Sequence, residues 1–175
     1  MSGVTPVQPG ASRPSEMASW VIREATLDDV AAVASAVSDL LVELGGKPAP
    51  ISELEEAARV LVQHPEAGML LVADADAPEG SRGLLAGMLG VSWQHAIRIP
   101  GRYGLIQELW VHPSWRGRMV GGDLVVALFD HARARGIARL EVGLPSERFP
   151  HLAATEAFYL NNGFTTIGLR MRRLL

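Results

Sequence analysis

Residues 115–124 read WRGRMVGGDL and follow a run of alternating apolar residues that ends at His112 and Pro113. A strand ending at Val111, a loop carrying Arg116, Gly117 and Arg118, and a helix starting near Gly121 would gather several unpaired backbone N–H groups at one point. The positive end of a helix dipole would lie behind them. Glycines let main chain approach an anion closely, and the arginines add charge. The stretch reads as an anion cradle that fits a pyrophosphate best. It is neither the dinucleotide fingerprint nor the P-loop, whose Gly-Lys-Ser/Thr is missing. Taken alone, its glycines are better read as a helix start of purely structural use.

A second candidate lies just upstream, in YGLIQELWVH. In a regular strand Ile106, Glu108 and Trp110 share one face and Gln107 and Leu109 the other, unless a bulge intervenes. A glutamate among apolar residues is costly unless paired or functional. Glu108 is therefore either a proton acceptor or the partner of Arg23 or Arg139 on a neighbouring strand. His95, Arg98 and Arg102, in WQHAIRIPGR between two strands, could hold an anionic group, although a solvated loop explains them as well. The five histidines are scattered without ligand spacing, so no metal site is expected. His112 reads as a turn residue before Pro113, His131 as exposed on its helix, and His64 as a helix end. The terminal RMRR reads as strand-edge charge.

The elements that must position these groups follow from composition and periodicity. The chain has 175 residues, 48% of them hydrophobic, enough for one domain with a proper core. Sixteen basic and 19 acidic residues give a net charge of -3, which offers no field for nucleic acid or an anionic membrane. There is no cysteine, which excludes disulfides, thiolate metal sites and thiol nucleophiles. Residues 1–17, rich in Pro, Ser and Gly, read as a disordered leader before a single domain over 18–175. No segment is apolar enough to span a bilayer, so a soluble, cytoplasmic protein is expected.

Strand and helix then alternate. Trp20–Glu24 reads as a strand, and Thr26 with Asp28 and Asp29 starts a helix whose apolar stripe runs from Val30 to Leu44. Ser52 caps a second helix ending before Pro65. Met69–Ala73, Leu84–Trp93 and Tyr103–His112 are strands, the first two joined as a hairpin and the third antiparallel to the second. Leu124, Val125, Leu128, Phe129 and Ala132 form a helical stripe closed by Gly136. Ala138–Leu144 is a strand, Leu152–Asn162 a helix capped by Gly163, and Phe164–Leu174 one or two final strands.

ELWVHPSWRGRMVGGDL resembles the signature of the GCN5-related N-acetyltransferase (GNAT) superfamily, in which a strand and a V-H-P turn lead into Arg/Gln-x-x-Gly-x-Gly/Ala at a helix start. Arg116, Gly117, Arg118, Met119, Val120 and Gly121 occupy that motif in register. AATEAFYLNNGF is similar to the family's second signature through Ala154, Phe158, Tyr159, Gly163 and Phe164. The likeness covers nearly the whole chain. It implies an α+β (mixed α/β) fold with a central, mostly antiparallel twisted sheet flanked by helices. Met119 stands where glycine is common, so its side chain must turn away. Asp123 would repel a pyrophosphate and should point elsewhere. His151 stands where the second motif usually has asparagine. A weaker likeness links IQELWVHPSWRGRMVG to aminoalkylphosphonate N-acetyltransferases.

The resemblance implies acetyl-CoA as co-substrate, held by the backbone of Arg116, Gly117, Arg118, Met119, Val120, Gly121 and Gly122. Its pantetheine arm would lie along the strand, with an N–H of Trp110 or Val111 meeting the carbonyl oxygen. Glu108 falls where the family has a base, with the ion pair as its alternative. Tyr159 matches the family's general acid, unless it is a core tyrosine bonded to a backbone carbonyl. The acceptor would be a primary amine of a small molecule, attacked in a ternary complex. A protein or peptide acceptor, or a non-catalytic acyl-CoA sensor, are the rival readings. Members of the family are often dimers, so a homodimer is a partner the resemblance allows.

Overall fold

The computed structural model describes residues 19–75, 83–168 and Arg173. The leader read over 1–17 and most of the strand read over 164–174 lie outside or at the edge of these residues; 164–168 carry no regular structure. Elements run in the order β1 (Trp20–Glu24), α1 (Val30–Glu43), α2 (Ile51–Gln63), β2 (Gly68–Ala75), β3 (Leu85–Ala96), β4 (Ile99–Val111), α3 (Val120–Ala134), β5 (Leu140–Val142) and α4 (Leu152–Asn161). Short 3-10 turns precede α1 and follow β4. The five strands form one sheet in sequence order, antiparallel from β1 to β4, with β5 parallel to β4. This is the mixed α+β architecture expected.

Each face of the sheet has its own core. Met69, Leu71, Leu89, Val91 and Ile106 pack with Val120, Leu124, Val125 and Leu128 of α3 on one side. On the other, Leu70, Val72, Met88 and Trp110 pack with Val30, Val33 and Ala36 of α1 and Ala58 of α2. Buried on both faces, β2 from Met69 to Ala73 and β3 from Ala86 to Val91 contain no polar side chain, as two-sided burial requires. The start of α1 is fastened to the sheet by charge. Arg23 grips Asp29 with both terminal nitrogens (2.7 and 2.9 Å) and reaches Asp74 through Nε at 2.6 Å. Asp29 in turn accepts from the backbone of Thr26 at 2.7 Å.

Several boundaries differ from those read in the sequence. The helix assigned a Ser52 cap begins at Ile51, with Pro50 as the cap residue and no side-chain cap bond. WQHAIRIPGR is not a loop: β3 continues to Ala96 and β4 resumes at Ile99, leaving only Ile97 and Arg98 to turn. β2 ends opposite Ser92, so this outer hairpin projects past the sheet. His95, Ile97, Arg98, Pro100 and Gly101 are exposed there while Ile99 is buried, so polar residues are tolerated on most of its length. β5 is three residues rather than seven and pairs with β4 only at Gly104, Leu105 and Ile106.

Candidate active site

The site begins at an irregularity in β4. Ile106 pairs with Val91 but Glu108 pairs with Gly90, so Gln107 is an extra residue, a β-bulge. Such a bulge reverses the phase of the strand. Ile106 faces the α3 core, whereas Trp110, and Glu108 with it, face α1 and α2. The shared face expected for Ile106, Glu108 and Trp110 is therefore corrected to Glu108 and Trp110 alone. Gly90 completes the arrangement. A Cβ on Gly90 would collide with Oε2 of Glu108, so the carboxylate occupies the volume a side chain would take.

Glu108 makes no ion pair: Arg23 is engaged by Asp29 and Asp74, and Arg139 does not reach it. Burial without a compensating charge pushes its carboxyl up to about 7. A carboxyl poised near neutrality can hold or release a proton at working pH. Tyr159, 7% exposed, packs against Phe158 and Phe164 at ring distances of 5.2 and 5.4 Å. Burial pushes its phenol up to about 12, and its hydroxyl makes no hydrogen bond within the protein. The carbonyl-bonded core tyrosine is not what the structure contains.

Beyond Ile106 nothing described pairs with the second edge of β4. His112 donates its N–H to Ala86 of β3 at 2.9 Å. Strand alternation then turns the N–H groups of Leu109 and Val111 to the open edge and that of Trp110 toward β3. Of the two N–H groups expected to meet a carbonyl oxygen, only Val111 has the direction; Leu109, not considered from sequence, shares it.

The turn after β4 is held by Arg116. Its Nε donates to the Val111 carbonyl at 2.9 Å, and Nη2 pairs with Glu43 at the end of α1 at 2.6 Å. The charge expected to serve the cradle is neutralised by Glu43, so Arg116 positions the turn. Arg118 lies over the ring of Trp115, 5.3 Å from its centroid. Gly117 and Met119 have φ of +74° and +72°. Met119 is the only non-glycine with positive φ among the described residues, a cost of about 1 kcal/mol. Its side chain is 75% exposed, turned outward as expected. Asp123 points toward β1, accepting from Trp20 Nε1 at 2.9 Å. The first intrahelical bond of α3 runs from Asp123 to Met119 at 3.0 Å. The N–H groups of Val120, Gly121 and Gly122 thus end the helix without main-chain acceptors. No atom lies within 4 Å of a Cβ built on Gly122. Free amides, open space and a helix dipole suit a pyrophosphate.

Residues 35–164 match the model of the acetyltransferase (GNAT) family. The chain belongs to this family. The GNAT chain is an acetyl-CoA-dependent acetyltransferase by that membership. Its fold is similar to that of an assigned acetyltransferase from Arthrobacter sp. FB24, at 26% identity and TM-score 0.68, covering 97% of this chain and 100% of that one. An aminoglycoside N-acetyltransferase in complex with CoA superposes at TM-score 0.72 with 14% identity, over 93% and 99% of the two chains. A glucosamine-6-phosphate N-acetyltransferase from Arabidopsis thaliana does so at 0.67 with 18% identity, over 89% and 98%. No protein with a curated description matches the sequence.

Three contributors to this acetyltransferase site escaped sequence reasoning. Glu43 lies 73 residues from the arginine it anchors, and no local pattern links them. Gly90, inside LAGMLG, was legible only as a glycine within a strand, itself a sign of a bulge or close approach. The positive φ of Met119 had a fainter signal, the family's customary glycine at that place. Among the described residues no group of three His, Asp or Glu could hold a metal, and no helix is long and apolar enough to cross a membrane.

Proposed function

We propose that this acetyltransferase moves the acetyl group of acetyl-CoA to a primary amine of a small molecule, by direct attack within a ternary complex. The observation that carries this reading is the Glu108 carboxyl, near-neutral in affinity for protons and without a partner, beside an open strand edge. The solved relatives named for aminoglycosides and glucosamine-6-phosphate support a small-molecule acceptor.

Acetyl-CoA supplies the activated thioester. The N–H groups of Val120, Gly121 and Gly122, with the turn through Gly117 and Arg118, would hold its pyrophosphate. An alkylammonium has a pKa near ~10, so its lone pair is masked at neutral pH. Glu108 accepts that proton, directly or through one water, and the freed nitrogen attacks the carbonyl carbon. Val111 stabilises the charge developing on the carbonyl oxygen through its outward N–H. Tyr159, still protonated at neutral pH, gives its proton to the departing sulfur. The nitrogen sheds its second proton as the amide forms, and that proton returns through water to the Tyr159 phenolate; one N–C bond forms and one C–S bond breaks, with the first amine proton on Glu108 and the phenol's on the sulfur.

CoA release measured over a panel of small amines and lysine peptides tests the assignment. Glu108→Gln is expected to lower kcat/KM about a hundredfold or more, the usual worth of a positioned base. Tyr159→Phe should lower kcat with acetyl-CoA affinity retained. Unchanged turnover in both variants would remove the acid/base roles. Turnover of lysine peptides alone would move the acceptor class to proteins, and tight acetyl-CoA binding without turnover would make the chain a sensor.

A further inference from the structure

The face of the sheet that carries Glu108 has further polar side chains that no role yet absorbs. On β5, Leu140 and Val142 pack into the α3 core, so Glu141 between them points to the opposite face, the one shared by Glu108 and Trp110. Glu141 pairs with Leu105, and Leu105 pairs with Ser92, two residues along β3 from the Gly90 that faces Glu108. One strand spacing and two residue steps separate the two glutamates, about 8 Å between their Cα atoms. Glu141 is half-buried and makes no hydrogen bond or ion pair. Exposed Arg139, which precedes it, pairs with neither carboxylate.

Two amide side chains on this side of the sheet keep acceptors free, Gln107 in the bulge beside Glu108 and Gln94 further along β3. Gln94 and Gln107 both donate their amide nitrogens to Ser92 Oγ, at 2.9 and 2.8 Å, which leaves both side-chain carbonyls to accept from something else. The face is thus left to be completed by a molecule that brings positive charge and hydrogen-bond donors.

We propose that Glu141 is a specificity-determining residue: it binds a second ammonium group of the acceptor, selecting short diamines and sugars that carry two amines over simple monoamines and anionic amines. The inference rests on Glu108 marking the acceptor position, as proposed above. The reacting amine sits at Glu108, the second ammonium meets Glu141, and the carbonyl of Gln107 accepts from an N–H or O–H group between them. An aminoalkylphosphonate would bring its phosphonate against a carboxylate.

The test compares diaminobutane, butylamine and aminoethylphosphonate as acceptors, with acetyl-CoA in excess. The wild type should prefer the diamine in kcat/KM by about tenfold or more, the worth of one charge-assisted contact. Glu141→Gln should collapse that preference through KM for the diamine, and Glu141→Asp should restore part of it. A purely structural role would instead lower kcat for every amine alike. Equal use of the first two amines by the wild type, preference for the phosphonate, or a preference that survives Glu141→Gln would overturn the proposal. Calorimetric binding of diaminobutane separates this from the reading beneath it. Binding that depends on Glu141 in a protein that acetylates nothing would uphold the subsite and remove the proposed reaction; absence of both binding and turnover would remove the two together.

Discussion

At the scale of single residues, the proton affinity of Glu108 has a consequence beyond catalysis. Its carboxyl titrates near 4.5 in the unfolded chain and near 7 when folded, because burial disfavours the charge. The protonated form is therefore the one the fold accepts most readily. Stability linked to this group is fully present below pH 4.5 and is lost as pH rises through 7, by up to about 3 kcal/mol at alkaline pH. Glu108→Gln carries no such burden. Urea denaturation should find the variant more stable than the wild type at pH 8 and equal to it at pH 4; an equal difference at both pH values would contradict the burial argument. The identity of this residue as a candidate was legible, since a glutamate in LIQELWV has few innocuous explanations. Its freedom from an ion pair was not, because Arg23 could be seen to be occupied only once Asp29 and Asp74 were adjacent to it.

At the scale of elements, apolar runs and stripes together with cap and turn residues located the helices and strands of the described residues, and the failures have physical causes. Residues 94–102 read as a loop because polarity, Pro100 and Gly101 mark loops in a chain whose strands are otherwise apolar, yet a hairpin that runs past its sheet needs few apolar side chains. The Gln107 bulge was beyond reach because alternation by itself cannot show where a strand carries one residue too many. The pairing partner shows it, and Gly90 is what makes the pairing fit. Gly90→Ala should therefore act as a site variant from the neighbouring strand. The new methyl group displaces the Glu108 carboxylate and presses on Leu70 Cδ2 at 3.3 Å. The expected outcome is a loss of kcat approaching that of Glu108→Gln, with about 1–3 kcal/mol of stability lost to overpacking. Acetyl-CoA affinity measured alongside should hold; a kcat equal to the wild type would mean that the niche does not position the carboxylate.

At the scale of the whole molecule, Arg23 ties β1 and β2 to the start of α1, the helix that covers Trp110 and supplies Glu43 to the turn after β4. The Arg23 guanidinium holds the Asp29 carboxyl well below the usual carboxylate range, with burial opposing and Thr26 assisting. A depressed carboxylate stabilises the fold above the unfolded value of 3.8 and loses that contribution as pH falls through the folded one. Asp29→Asn should thus cost about 2–3 kcal/mol at pH 7, after allowance for the partial exposure of Arg23, and progressively less in acid. Denaturation midpoints at pH 7 and pH 3 check the direction; a cost that grows in acid would refute it. The parting of β4 from β5 after Ile106 bears on how copies of this chain behave together. Bare strand edges normally lie at the rim of a sheet, where another chain can add itself and begin an aggregate. Here the bare edge is on the fourth of five strands and offers two outward amides, Leu109 and Val111. Among the described residues this edge is too short and too far inside to template a foreign strand, so it carries little of the self-association hazard that exposed main chain usually brings.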